Sequence, residues 1–330
     1  MSAEHAGPPE LTGSADPRPP SQRRIDFSIV VPVYNSEPSL EELYRRLATT
    51  FAEMNKTFEV IFVDDGSRDG SLKVLRSLHE RHHANVRVFS LYRNQGQQIA
   101  LMCGFRFCVG DLVVTIDDDL QHFPEDIPLL HDVLQQGHDA VFGSYQQKAH
   151  RRLQNLGSRF VQRLNHRIFD PPKGLQTSAF RLIRRDVVDH VKSQRTSFPF
   201  VSGMILSTTG RVANAEVRHE PRRYGRSGYT LPKLVKLSYN LLVNYSALPL
   251  KVIGYVGMAA SLLAFVAGAV FIARQLLIGR APAGWTSLAV LVSFFSGILF
   301  AMMFVMAEYL YRLLTEVSNR PPHPVREIMK

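Results

Sequence analysis

From residue 27 onward the chain alternates short apolar runs with longer stretches whose apolar residues recur every three or four positions. Phe27–Val33 is β-branched and apolar, a strand closed by Tyr34 and Asn35. Ser36–Met54 follows with helical spacing at Leu40, Leu43, Leu47 and Phe51, with Ser36 as N-cap and Pro38 early in the helix. Phe58–Val63 is a second strand, ending at Asp64-Asp65-Gly66-Ser67, and a helix through Leu72, Leu75 and Leu78 comes after it. Val86–Leu91 reads as a third strand, running into Arg93-Asn94-Gln95-Gly96 and a helix over Gln97–Cys108. Leu112–Ile116 is the fourth, tipped by Asp117, Asp118 and Asp119. A helix over Pro124–Gln135 and a fifth strand at Ala140–Gly143 complete the series. Strands alternating with helices at this spacing predict an α/β fold with a parallel, doubly wound sheet.

The pattern changes beyond this region. His150–Phe169 has Leu153, Leu156, Phe160, Leu164 and Ile168 at helical spacing, with five arginines among them. That helix suits an anionic membrane surface, and equally suits packing on its own domain with a solvated basic face. Leu234–Tyr245 reads as an interfacial helix. Val252–Ala273 and Ala283–Ala307 are uncharged apolar stretches, each reaching at least about 30 Å as a helix, enough to cross a bilayer. Lys233, Lys236 and Lys251 precede the first stretch and Arg312, Arg320, Arg326 and Lys330 follow the second, against Arg274 and Arg280 between them. The positive-inside rule then puts both termini in the cytoplasm of an integral inner-membrane protein. The expected organisation is a disordered tail over 1–24, an α/β domain over 25–230, interfacial helices over 231–249, a two-helix membrane region over 250–310 and a cytoplasmic tail over 311–330.

Charge and cysteine content narrow the chemistry. With 39 Lys and Arg against 29 Asp and Glu, the net charge is +10. Such a balance suits an anionic membrane or a phosphorylated substrate. Nucleic acid is disfavoured, because no recognised reader motif is present. Cys103 and Cys108 have no Cys or His cluster around them and read as reduced packing residues. No G-x-G-x-x-G follows the first strand and no P-loop occurs, which removes the usual support for dinucleotide or ATP binding.

Ligands in open α/β sheets bind beyond the carboxyl ends of the strands. Three of those ends are polar: Tyr34-Asn35, Asp64-Asp65 and Asp117–Asp119. In a parallel sheet they converge on one rim. Asp117 and Asp119, two apart in extended chain, point the same way. Two hard oxygen ligands suit Mg²⁺ or Mn²⁺, which takes one or two carboxylates together with substrate phosphates.

The motifs V-P-V-Y-N, V-D-D-G-S, R-N-x-G-Q and D-D-D-L-Q-H-x-P-E together resemble family 2 inverting glycosyltransferases of the GT-A fold. The likeness is to the polyisoprenyl-phosphate branch, and it runs from about Phe27 to the C-terminus. The resemblance implies a nucleotide-sugar donor, by analogy a UDP-sugar, and a polyprenyl-phosphate acceptor in a homo-oligomeric membrane enzyme. It assigns Pro32, Tyr34 and Asp64 to the nucleoside, with Asp65 and Asp118 beside them. It gives the metal to Asp117 and Asp119 and the sugar side to Arg93 and Gln121. Arg222–Lys233 matches R-x-x-G-x-S-x-Y, which would make Arg222, Ser227, Tyr229 and Lys233 the acceptor-phosphate contacts. The same segment also reads as a juxtamembrane basic stretch.

One departure bears on the reaction. Relatives carry an aspartate shortly before a Phe-Arg pair, and here Gln176, Thr177, Ser178 and Ala179 precede Phe180-Arg181. A lipid phosphate, mostly ionised at neutral pH, needs no proton removed, whereas a sugar hydroxyl does. Two other readings stand beside a phosphate acceptor. One is a family 2 enzyme acting on a sugar hydroxyl, although Trp285 is the only tryptophan and no Q-x-x-R-W occurs. The other is a non-catalytic membrane scaffold.

Overall fold

The computed structural model of the chain describes residues 24–145, 172–194, 196, 198–218, 220, 248–278, 284–317 and 325–329. The N-terminal tail to residue 23, the basic helix expected over 150–169 and everything expected over 222–245 lie outside the described residues.

Strands β1 (Phe27–Val33), β2 (Phe58–Asp64), β3 (Val86–Leu91) and β4 (Leu112–Thr115) form a parallel centre, ordered β3-β2-β1-β4. Pairing aligns Val33 with Asp64 and Asp64 with Ser90, and Val30 with Thr115 on the other flank, so the strand ends come level at one rim. Alternate residues of β1 and β2 divide between two apolar layers. Ile29, Val31, Val33, Val60 and Phe62 pack with α1 (Leu40–Glu53), α2 (Ser71–Arg81) and α4 (Ile127–Gln135). Val30, Ile61 and Val63 pack on the other side with α3 (Gln97–Phe105), α5 (Arg185–Ser193) and α6 (Val201–Thr208). A sheet buried on both faces explains why its strands are apolar without alternation.

Among the strands up to Glu216 one runs against the rest, as a mostly parallel sheet of the expected kind allows. β6 (Arg181–Arg184) runs antiparallel between β4 and β5 (Ala140–Ser144), and β5 then pairs in parallel with β7 (Val212–Glu216). The sheet is therefore mostly parallel. The first helix starts at Leu40, four residues later than expected, and Pro124–Asp126 is a separate 3₁₀ turn before α4.

Helices α7 (Leu248–Ile278) and α8 (Trp285–Val317) hold 31 and 33 residues and pack against each other, with Gly257 closed against Met302. Among the described residues, one stretch is long and apolar enough to cross a membrane, Phe294–Tyr311 in α8, with a mean hydropathy of 1.6. The segment expected as a cytoplasmic tail over 311–330 carries two elements. Residues to Val317 continue α8, and Val325–Met329 forms an eighth strand, β8, antiparallel on the β3 edge. Its Val325 and Met329 pack on opposite core layers, and Glu327 meets Arg76 at 2.6 Å.

Candidate active site

The rim is built by loops that hold one another. After β1, the Tyr34 N–H donates to Asp118 Oδ2 at 3.1 Å. Asn35, at φ +54°, receives its own bonds from the loop after β2: its N–H reaches Ser67 Oγ at 3.0 Å and its Oδ1 accepts the Arg68 N–H at 2.8 Å. Asn tolerates this left-handed backbone better than most residues. Pro32, expected at the nucleoside, is buried within β1 opposite Val63 and lies below the loop. Tyr34 is the exposed member of that pair, at 42%.

Asp64 and Asp65 at the end of β2 are both buried. Asp64 accepts from the Ser67 N–H at 3.0 Å and from Ser90 Oγ at 2.8 Å. Asp65 accepts the N–H groups of Gln95 and Gly96, both at 2.7 Å, and so clasps the loop that carries Arg93 into α3. Burial raises the Asp65 carboxyl above its ordinary value, and those two N–H groups offset part of the shift. Arg93 itself is exposed on this loop.

At the end of β4, Asp117 Oδ1 accepts from Gln97 Nε2 at 2.5 Å, and Asp119 Oδ1 accepts the Gln121 N–H at 3.1 Å. Removal from water pushes the Asp118 carboxyl up to about 6, against the hydrogen bonds from Ser36 and Tyr34. Its carbonyl accepts from Ser39 Oγ. Leu120, the next residue, is buried at φ +58°, a conformation costing a branched residue roughly 1–2 kcal/mol. The turn is locked from below: Arg46 grips Glu125 at 2.8 and 2.6 Å, and Arg218 grips Asp126 at 2.8 and 2.6 Å. The two guanidinium groups lie 4.7 and 4.8 Å from the centre of the Phe123 ring. His122 stacks on Phe180, with ring centres 5.3 Å apart.

Gln121 links the rim to the chain leading away from the sheet. Its carbonyl accepts the Glu220 N–H at 3.1 Å, and its Nε2 donates to the Glu220 carbonyl at 3.2 Å. Arg222, Ser227, Tyr229 and Lys233 follow Glu220 directly in sequence but lie outside the described residues.

Asp117 and Asp119 each bring a hard carboxylate donor to the rim. Among the described residues no three His, Cys, Asp or Glu side chains converge on one point, so no closed protein cage forms. A pair of carboxylates at a rim is the donor set of an Mg²⁺ or Mn²⁺ site completed by substrate phosphates and water.

The description Glycosyl transferase family 2 matches residues 28–192, which contain every strand-end cluster just described. The chain belongs to glycosyltransferase family 2. Relatives of the glycosyltransferase extend the likeness past the sheet. An undecaprenyl-phosphate 4-deoxy-4-formamido-L-arabinose transferase of Klebsiella pneumoniae is 30% identical over 92% of this chain and 93% of its own length. The enzyme of that name in Sodalis glossinidius is 34% identical over 92% and 94%. An uncharacterized glycosyltransferase of Bacillus subtilis is 32% identical over 92% and 94%. Among solved structures, the glucosyl-3-phosphoglycerate synthase of Mycobacterium tuberculosis in complex with Mn²⁺, UDP and phosphoglyceric acid aligns over 66% of this chain and 76% of that one. Its TM-score is 0.49 at 20% identity.

Three features of the rim were not legible in the sequence. Gln97 belongs to the R-N-x-G-Q motif, yet its partner Asp117 is 20 positions away. Arg46 and Arg218 look like surface charges until the loop brings Glu125 and Asp126 to them. Arg181 reads only as a landmark for the absent aspartate, whereas it is among the largest fully buried side chains in the protein.

Proposed function

We propose that this glycosyltransferase moves a sugar from a nucleotide-sugar donor, a UDP-sugar, to a polyprenyl phosphate of the undecaprenyl kind, at the cytoplasmic face of the membrane. The observation that carries the reading is the path of the chain between rim and apolar helices. It leaves the sheet at Glu220, bonded to Gln121, and proceeds to α7. It returns from α8 to Val325, which pairs with Leu91 at the rim end of β3. From Val317 to Val325 the chain spans at most about 28 Å. The shorter link therefore keeps the end of α8 within that reach of the rim end of β3. The relatives named as undecaprenyl-phosphate transferases cover the same helices, since they align over 92% of the chain.

In this reading Asp117 and Asp119 hold Mg²⁺ or Mn²⁺ at the donor diphosphate. The bound cation supplies charge stabilisation where the leaving group becomes negative. Tyr34 and the Asp64–Asp65 loop border the nucleoside, with Asp118 fixing the Tyr34 backbone. Arg93 and Gln121 face the sugar. Arg222, Ser227, Tyr229 and Lys233 receive the acceptor phosphate, whose oxygen attacks the anomeric carbon opposite the nucleotide and inverts it. No carboxylate stands in residues 176–179, and a phosphate nucleophile needs none. A hydroxyl acceptor would need one.

The test is Asp119→Asn in full-length protein, assayed with labelled nucleotide sugars and polyprenyl phosphate. Turnover with Mn²⁺ or Mg²⁺ should fall about 100-fold or more, with the unfolding temperature unchanged. Near-normal turnover would overturn the metal role. Wild-type product that stays in the aqueous phase on organic extraction would overturn the lipid acceptor.

A further inference from the structure

Asp126 does not do what its place in the chain suggests. It is the residue before α4, where an aspartate ordinarily caps its own helix, yet its side chain makes no cap bond. The carboxylate is buried, with its side chain 2% exposed, and turns to one residue that follows β7, Arg218. The Arg218 N–H donates to Oδ2 at 2.8 Å, and its Nε and Nη2 donate to Oδ1 at 2.8 and 2.6 Å. A carboxylate taken from water needs such partners, and losing them is costly. The guanidinium also lies 4.8 Å from the centre of the Phe123 ring. Arg218 is thereby fixed, backbone and side chain both, to the turn that closes the acid-bearing loop.

The same stretch of chain then reaches Gln121. The Glu220 N–H donates to the Gln121 carbonyl at 3.1 Å, and Gln121 Nε2 donates to the Glu220 carbonyl at 3.2 Å. A glutamine side chain has wide rotamer freedom, and here the Glu220 carbonyl restrains it. That carbonyl is itself only as well placed as the residues leading to it from Arg218.

We infer that Asp126 and Arg218 are positioning residues for Gln121: their pairing fixes residues 218–220 against the turn, and the Glu220 backbone then holds the Gln121 amide in the orientation that meets the donor sugar. This inference rests on the sugar-facing role proposed for Gln121. An amide fixed before the donor arrives gives up little further entropy on contact, which is the advantage of a preformed site. Asp126 and Arg218 act through Glu220, without touching the donor.

The test is a double-mutant cycle in full-length protein. Transfer to polyprenyl phosphate is measured from labelled UDP-glucose, UDP-galactose, UDP-N-acetylglucosamine and UDP-glucuronic acid, with calorimetry of UDP alone and thermal unfolding in parallel. Arg218→Met removes the grip and keeps the length of the side chain. It should lower kcat/KM about tenfold for the sugar that wild type transfers, while UDP, which offers Gln121 no sugar, binds within about twofold of wild type. In a Gln121→Ala background the same substitution should cost less than about twofold more. Full additivity there, or a folded Arg218→Met with wild-type turnover, would overturn the inference. So would a matching loss of UDP affinity, the mark of a pair that only supports the domain. Should Arg218→Met fail to fold, Asp126→Asn, which keeps the shape and withdraws the charge, takes its place with the same expected and overturning results. Wild type that transfers none of these sugars overturns the donor proposed above, and Gln121→Ala as fast as wild type overturns the sugar-facing role. Either result removes what the inference rests on, whereas a slow Gln121→Ala beside an unaffected Arg218→Met overturns only the role of the pair.

Discussion

Gly66 shows how little freedom the rim has at single positions. It stands at φ +68°, and a Cβ there would lie 2.8 Å from the Arg93 carbonyl carbon and 2.9 Å from the Asn94 nitrogen. Both obstacles are backbone and cannot rotate aside. Gly66→Ala therefore incurs left-handed strain of roughly 1 kcal/mol and must also push the Arg93–Gly96 loop off the Asp65 carboxylate. We expect a clearly lowered unfolding temperature together with weakened UDP binding by calorimetry. A variant that binds UDP normally would show that the loop does not border the nucleoside. At this scale the sequence was readable where chemistry is local. The carboxylates of Asp64, Asp65 and Asp117–Asp119 follow apolar runs, and the strand ends where they begin. It was unreadable where a residue's meaning depends on a distant partner. Pro32 belongs to the site motif in sequence, and the structure places it inside β1, which runs on to Val33. Arg181 looked like part of a loop because the strand that hides it is only four residues long, three of them flanked by charge.

The elements beneath the rim are held by charge as much as by apolar packing. Phe123 lies between the guanidinium groups of Arg46 on α1 and Arg218 beyond β7, and each of those guanidinium groups grips a carboxylate of the 3₁₀ turn. Burial alone would raise Glu125, but the hydrogen bond and charge of Arg46 outweigh it and hold the carboxyl below its ordinary value. Asp139 behaves in the same way: Thr209 and Arg211 overcome its burial and lower it. A carboxylate lowered in the folded state stabilises the protein above its unfolded value and loses that contribution as pH falls through the folded one. Acid should therefore destabilise the sheet domain from about pH 4 downward. Glu125→Gln should be less stable than wild type at pH 7, and the difference should shrink towards pH 3, as read from urea midpoints across that range. A difference that stays constant with pH would mean that Glu125 acts by shape and not by charge. The long periodic helices were visible from sequence for a related reason, since Leu43, Leu47 and Phe51 face one apolar layer however the ends are arranged. The ends were not. Ser36 looks like an N-cap, but its Oγ donates to the Tyr34 carbonyl at 3.3 Å, and Ser39 is the residue before the helix that starts at Leu40.

The eighth strand constrains the molecule as a whole. β8 shares a sheet with β3, so the residues before α7 and the residues after α8 lie on the same side of any membrane the helices enter. The number of crossings between Glu220 and Val325 must then be even. α8 contains the stretch Phe294–Tyr311, apolar enough to span, and at about 50 Å the helix exceeds the bilayer core; α7, at about 46 Å, does so too. If α8 crosses, a second crossing is obligatory, and α7 is the helix with the length to supply it. A lone span would tear β8 from β3, with its four paired positions and the contact of Glu327 with Arg76. The topology can be read with two single cysteines, because Cys103 and Cys108 are buried with thiols pushed up to about 11 and about 12 and should remain silent. In intact cells a membrane-impermeant maleimide should label Gln275→Cys, near the end of α7. It should reach Arg326→Cys only after permeabilisation. Labelling of both from outside, or of Arg326→Cys alone, would contradict an acid-bearing rim on the cytoplasmic side. If neither is labelled until the cells are opened, the helices lie in the membrane without crossing it, and the even count is zero. Either even count leaves the rim on the side of the nucleotide pool and of the headgroup of a membrane-dissolved phosphate, and the two-span outcome differs in fixing the domain there by helices that cross the bilayer.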